Sequence, residues 1–185
     1  MASLSNFKSA LQYGGARPAL FDMTIFDPVF LDGVAMGAMS FHCNVSAIPP
    51  LTVTPIERQY FGRTVKIPGD MVFGDLSTTI INAEDYKVRN SIEAWMDNIN
   101  STGDNEGLSD NSSWVSSASL RQYGKDGNAI IDYDFWDIWP TTISEIALSY
   151  DTASDIEQFD VTWAYNYYTQ AKGSASTVTT FAAQA

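Results

Sequence analysis

From Phe159 to Tyr167 every second residue is large and apolar or aromatic: Phe159, Val161, Trp163, Tyr165 and Tyr167. The residues between them, Gln158, Asp160, Thr162, Ala164 and Asn166, are polar or small. A helix repeats its faces about every 3.6 residues and cannot sort such a pattern. A strand can, with one face in a core and the other toward water. The segment from Ile156 to Tyr168 is therefore read as one long strand.

The same period runs through Ile131, Tyr133 and Phe135, with Asp132 and Asp134 on the opposite face. Ala118–Tyr123 and Ala129–Trp136 flank Gly124-Lys125-Asp126-Gly127, and Asp-Gly between alternating segments predicts a hairpin. Further strands are expected at Ala19–Ile25, at Met39–Ala47 with Met39, Phe41, Cys43, Val45 and Ala47 on one face, at Val72–Ile80, and at Ile143–Tyr150. Pro49-Pro50 must end the second of these, because proline cannot donate to a ladder. Residues 51–69, with Pro55, Gly62, Pro68 and Gly69 among β-formers, read as an extended arm with an irregular edge.

Two stretches have helical spacing. Residues 3–12 predict a short helix. Val88, Ile92, Trp95, Met96 and Ile99 form one apolar stripe, with Asn82 as the expected N-cap and Glu84 and Asp85 in the first turn. The stripe suits a helix laid over a sheet. The expected fold is mostly β with one packed α-helix: two packed antiparallel sheets, as a sandwich or partly closed barrel. The whole chain, 1–185, reads as one domain, with a core over 16–168, an inserted loop at 27–38 and a flexible tail or interface arm at 169–185.

Few enzyme classes survive inspection. His42 is the only histidine and Cys43 the only cysteine, which excludes an intrachain disulfide and leaves His-based triads and zinc sites poorly supported. No phosphate-binding or nucleophile-elbow string occurs. Asp104-Asn105-Glu106 lacks the spacing of a calcium loop. Asp132 and Asp134 share a strand face, which allows a glycosidase-like acid pair. Alternation alone accounts for their spacing, and Trp163 and Trp95 fall on core faces, leaving no evident exposed platform for a sugar. A sugar-binding or sugar-hydrolysing acidic β-sandwich is the competing reading. No catalytic residue, metal or cofactor is assigned.

Charge narrows the partners. The chain carries 22 acidic and 10 basic residues, a net −12, so it repels phosphate backbones rather than gripping them. From Asp126 onward nine acids face one base, Lys172, whereas Arg58, Arg63 and Lys66 crowd into the arm. The opening MASLSNFKSALQ has no apolar run of signal-peptide length, and no segment approaches the roughly 18 apolar residues of a membrane helix. Folding in a cytoplasm and no membrane insertion are expected.

Several short strings, in order, carry a resemblance. They are Ala16-Arg17-Pro18-Ala19-Leu20-Phe21, Ala47-Ile48-Pro49, Gly69-Asp70 with Phe73 and Asp75, and Thr79-Ile80-Ile81-Asn82 leading to Glu84 and Trp95. The closing half adds Arg121-Gln122-Tyr123, Trp139-Pro140-Thr141, Glu145-Ile146, Leu148-Ser149-Tyr150-Asp151 and Ile156 to Tyr167. Together they resemble the tail tube proteins of contractile-tailed, T4-like myovirus bacteriophages, with a longer 27–38 insert and 169–185 tail. The resemblance implies a virion structural protein and not an enzyme. Copies would assemble in host cytoplasm into rings of six that stack into a hollow tube. Tail sheath, a baseplate or tube initiator and a tape-measure protein would be its partners. DNA would pass through without specific binding. A baseplate tube initiator or a type VI secretion-like tube is the alternative within that class. Against this frame Asp132, Asp134 and Asp160 are expected to face the lumen, and Arg58, Arg63 and Lys66 to reach a neighbouring ring or subunit.

Overall fold

The computed structural model describes residues 4–10, 15–28, 30–31, 39–104, 106–107, 111–152 and 156–172. Its helices are α1 (Leu4–Ala10), α2 (Met39–His42), α3 (Lys87–Ile99) and α4 (Asn111–Trp114). Its strands are β1 (Phe21–Ile25), β2 (Cys43–Ser46), β3 (Leu51–Tyr60), β4 (Arg63–Phe73), β5 (Leu76–Ile81), β6 (Ser116–Tyr123), β7 (Ala129–Ile143), β8 (Gln158–Ala164) and β9 (Tyr167–Lys172). Seven strands form one antiparallel sheet in the order β1-β6-β7-β8-β5-β2, with β9 also paired to β7; β3 and β4 pair only with each other.

Strand β7 organises the sheet. Its first half pairs with β6 and β9, its second half with β8. Between them Asp137 has φ 56°, a left-handed conformation that aspartate tolerates better than most residues. The extra residue restores the inward face: Phe135 and Ile138 are both buried on either side of it. Asn166 donates to the Asp137 carboxylate at 2.8 Å and holds the bend. The two half-sheets curl around one core, which takes Met23, Ile25, Leu120 and Phe135 from one half and Leu76, Ile80, Phe159, Val161 and Trp163 from the other. The edges β1 and β2 approach across a crevice lined by Phe21, Leu120 and Tyr133 on one side and Ser46 and Ile48 on the other. The result is a two-layered, partly closed structure, as the alternation implied.

Helix α3 lies on this core through Val88, Ile92 and Trp95, with Met96 and Ile99 half-buried. Trp95 and Trp163 meet at 5.9 Å between ring centroids, and Trp95 donates its indole N–H to the Trp114 carbonyl at 2.7 Å. Burying each indole contributes about 3 kcal/mol.

Four local expectations are corrected. Asn82 does not cap α3, which starts at Lys87 after a left-handed Tyr86. Asn82 and Tyr86 instead both donate to Glu157 at 2.9 Å, tying the helix entry to the residue just ahead of β8. Met39–Ala47 is not one strand: Met39–His42 form a helical turn that drops Met39 into the core, and Val45 ends up exposed. Residues 144–149 lie outside any strand; β7 simply runs on to Ile143. Ile156–Tyr168 is split at Tyr165-Asn166 into β8 and β9, which belong to different half-sheets. The break flips the inward parity, so Tyr168 packs on the core and Tyr167 is exposed. Residues 169–172 of the expected tail belong instead to β9 of the body's sheet; residues 173–185, most of the 27–38 insert and Asn105 lie outside the described residues.

Candidate functional site: an open-edged sheet and a lone hairpin

The hairpin of β3 and β4 stands apart. Every residue of β3 is exposed, and the pair makes no ladder with the body. An isolated two-stranded hairpin is marginal in water, so one this long needs a further surface. Its root is pinned where the Gly74 N–H donates to the Pro50 carbonyl at 2.9 Å. A Cβ at Gly74 would come within 2.7 Å of the Pro50 ring, so only glycine fits there. Its tip is Phe61-Gly62, with φ of 43° and 77°, the two-residue turn geometry that favours Asn-Gly. Phe61 is 90% exposed.

The register divides the hairpin into two faces. On one, Glu57 opposes Lys66 and Gln59 opposes Thr64. These pairs satisfy themselves, with Lys66–Glu57 at 3.2 Å and Gln59 donating to Thr64 at 2.9 Å. On the other, Ile56 opposes Ile67, Arg58 opposes Val65 and Tyr60 opposes Arg63. Among the described residues neither Arg58 nor Arg63 has an acidic partner. The three expected arm cations therefore separate: Arg58 and Arg63 share a face with exposed aliphatic residues, and Lys66 lies opposite, already neutralised.

The expected wall residues separate too. Asp132 and Asp134 point away from the core on the β1-β6-β7-β9 half, where β7 register places them in cross-strand rows. One row runs Asp22, Arg121, Asp132, Ala171; the next runs Thr24, Ser119, Asp134, Thr169. Arg121 binds Asp132 at 2.6 Å, and this hydrogen bond raises the guanidinium's pKa further. Asp160 lies on β8 in the other half, where Thr79 donates to it at 2.6 Å. The structure brings Asp132, Asp134, Arg121 and Asp22 onto one face and leaves Asp160 off it. Asp22 was missed in the sequence because only the β1–β6 register sets it beside Arg121.

The same face ends in Trp136 and Tyr167, stacked at 6.3 Å with 19° between planes and each nearly half exposed. An exposed indole is thus present where the sequence suggested none. It does not assemble an acid-pair site, because one of the two carboxylates, Asp132, is held by Arg121. Cys43 offers no nucleophile either: burial, with Asp22 nearby, pushes its thiol up to about 11. Among the described residues no group of three His, Cys, Asp or Glu side chains is placed to hold a metal, and no helix is long and apolar enough to cross a membrane.

Among the described residues, both edges of this half-sheet are unpaired: β1 pairs only with β6, and β9 only with β7. The four strands alternate in direction, so a further copy added edge to edge, β9 against β1, continues the antiparallel order.

Comparisons with known proteins follow the same lines. The family described as phage tail tube protein matches residues 25–171. The tail tube protein gp19 of Enterobacteria phage T4 is 27% identical over 154 residues, covering 83% of this chain and 90% of the relative. A tail tube protein of Serratia phage KSP90 is 23% identical over 167 residues, covering 86% and 92%. Among solved structures, a chain of the PVC extracellular contractile injection system sheath–tube complex in its extended state superposes with a TM-score of 0.59. It is 14% identical, over 93% of this chain and 99% of that one. A chain of the six-fold symmetrised anti-feeding prophage baseplate reaches 0.63 at 7% identity, over 85% and 96%.

Proposed function

This chain belongs to the phage tail tube protein family, and from that premise we propose that rings of six copies stack into a conduit for DNA. It is a structural tube subunit of a contractile tail rather than an enzyme, it assembles with copies of itself, and it is a virion tail component. One observation carries the further reading: a half-sheet whose two edges are unpaired among the described residues, with alternating strand direction, beside a hairpin that makes no ladder with the body. Open edges left in water invite uncontrolled pairing. Closing β9 of each copy on β1 of the next removes them and makes a continuous wall.

The core lies on one side of that wall, so the other side is the lumen. Asp22, Arg121, Asp132 and Asp134 then line it, at two net negative charges per copy. Rings repeat this charge along the bore, and a duplex inside meets repulsion with no phosphate-binding cation left unpaired. Asp160, on the opposite layer, is assigned to the outer surface, toward the sheath. The single domain spans the whole chain, with 27–38 as an insert and β9 carrying the core sheet as far as Lys172. The hairpin, with Arg58 and Arg63, bridges to a neighbouring ring, and Lys66 keeps its own Glu57. Baseplate or initiator protein, sheath and a tape-measure protein complete the partners, with assembly in the host cytoplasm. Six-fold order is supported by the symmetrised baseplate chain that shares this fold.

Negative-stain electron microscopy of the purified, concentrated protein tests this reading. Hollow rings or tubes are expected. A monodisperse monomer at every concentration, with affinity for a sugar, would move the protein to the competing class.

A further inference from the structure

Resting on the stacking role just proposed, we infer that the apolar, cationic face of the hairpin docks on residues 145–152 and Ile156 of a second copy, with Arg58 and Arg63 meeting Glu145 and Asp151. The segment between β7 and β8 is anomalous. Ile146 packs on the core, but Leu148 is 80% exposed, Ile156 69%, and Tyr150 is fully exposed at the start of the helical turn Tyr150–Thr152. Large side chains this exposed, this close together, mark an interaction surface rather than scattered surface residues. The flanking Glu145 and Asp151 carboxylates have no basic partner among the described residues.

The hairpin offers the complement. Ile56, Val65 and Ile67 are each about half exposed on the face that carries Arg58 and Arg63. Both surfaces combine aliphatic side chains with uncompensated charge, and the signs are opposite. The occupant is a second copy, because among the described residues the hairpin makes no ladder with its own body and leaves all of β3 exposed. Docking the two covers aliphatic area that otherwise faces water and pairs charges at its rim, where complementarity sets register and partner choice. It also places the tip pair Tyr60 and Phe61, in edge-to-face contact at 4.7 Å, beyond the ion pairs as a terminal aromatic anchor. The opposite face, closed by Glu57–Lys66 and Gln59–Thr64, stays wet.

Charge reversal in the full chain tests this. Arg58→Glu with Arg63→Glu is expected to cut the sedimentable tube fraction by at least about tenfold, the equivalent of a kcal/mol or two. Glu145→Arg with Asp151→Arg should do the same, and the four substitutions together should restore tubes. Losing tubes in both pairs without restoration in the combination overturns the pairing while leaving the hairpin as a stacking arm on some other surface. Normal tubes from Glu145→Arg with Asp151→Arg alone overturn it as well. Normal tubes after reversing Arg58 and Arg63 overturn the stacking role itself. A second readout stands if a charge variant misfolds: in a Cys43→Ser background, Tyr60→Cys with Leu148→Cys should form intermolecular disulfides in tubes. Absence of that crosslink in well-formed tubes also contradicts the docking.

Discussion

Phe61 sits where a side chain is least welcome. A left-handed residue other than glycine, asparagine or aspartate costs on the order of 1 kcal/mol, and here the ring gains only its neighbour Tyr60. Retaining it makes sense if another copy receives it. Phe61→Asn should therefore leave the isolated subunit as stable or slightly more so by thermal unfolding, yet lower the rate of tube growth measured by light scattering. Glu157 accepts hydrogen bonds from two side chains. Hydrogen bonds from Asn82 and then Tyr86 hold its carboxyl below the usual value of 4.5. A depressed carboxylate contributes stability that is complete above its unfolded value and is lost as pH falls through its folded one. Wild type should unfold at higher temperature than Glu157→Gln near neutral pH, and the gap should shrink below about pH 4. Neither residue announced itself in the sequence. Phe61 looked like an ordinary β-former until its turn was seen, and Asn82, with its capping chemistry, was free to serve a carboxylate from far along the chain instead of the helix start.

Elements were legible wherever one face was buried and the run was uninterrupted. The β6–β7 hairpin, the α3 stripe and the inward set Phe159, Val161, Trp163 all follow from period alone, because burial enforces it. The failures share a cause. Alternation persists across a break when both pieces touch the core, so β8 and β9 read as one strand although Tyr165-Asn166 sends them into different layers. Met39 is buried by a helical turn, which a two-residue period imitates over so short a span. Residues 144–149 carry strand-like alternation with no ladder to join; the docking proposed above would cover their exposed side chains. The hairpin is the converse case, a ladder without a core. Replacing residues 54–69 by a short Asn-Gly turn should leave far-UV circular dichroism of the body and its melting temperature nearly unchanged, since α3 and the seven-stranded sheet do not rest on it. The shortened protein should form isolated rings and no tubes.

The candidate wall was only partly legible at the level of the whole molecule. The sequence places Asp132 and Asp134 on one wet face, because they share a strand. It cannot place Asp160 or Asp22, since which layer a strand joins depends on register and on the bend at Asp137. Acidic excess began as a bulk property and becomes a geometric one: the acids on the β1-β6-β7-β9 half fall in rows across an open-edged sheet whose strand directions allow closure. Under the proposed assembly, wall, edges and hairpin describe one object, a ring that continues its sheet around a bore and its contacts along an axis. A cryo-electron microscopy reconstruction of the assembled tube, at a resolution that separates side chains, tests this most directly. β9 of each copy is expected to be hydrogen-bonded to β1 of the next, with Asp132 and Asp134 facing the bore. A tube in which β1 and β9 stay unpaired, or in which those two carboxylates face outward, would contradict it.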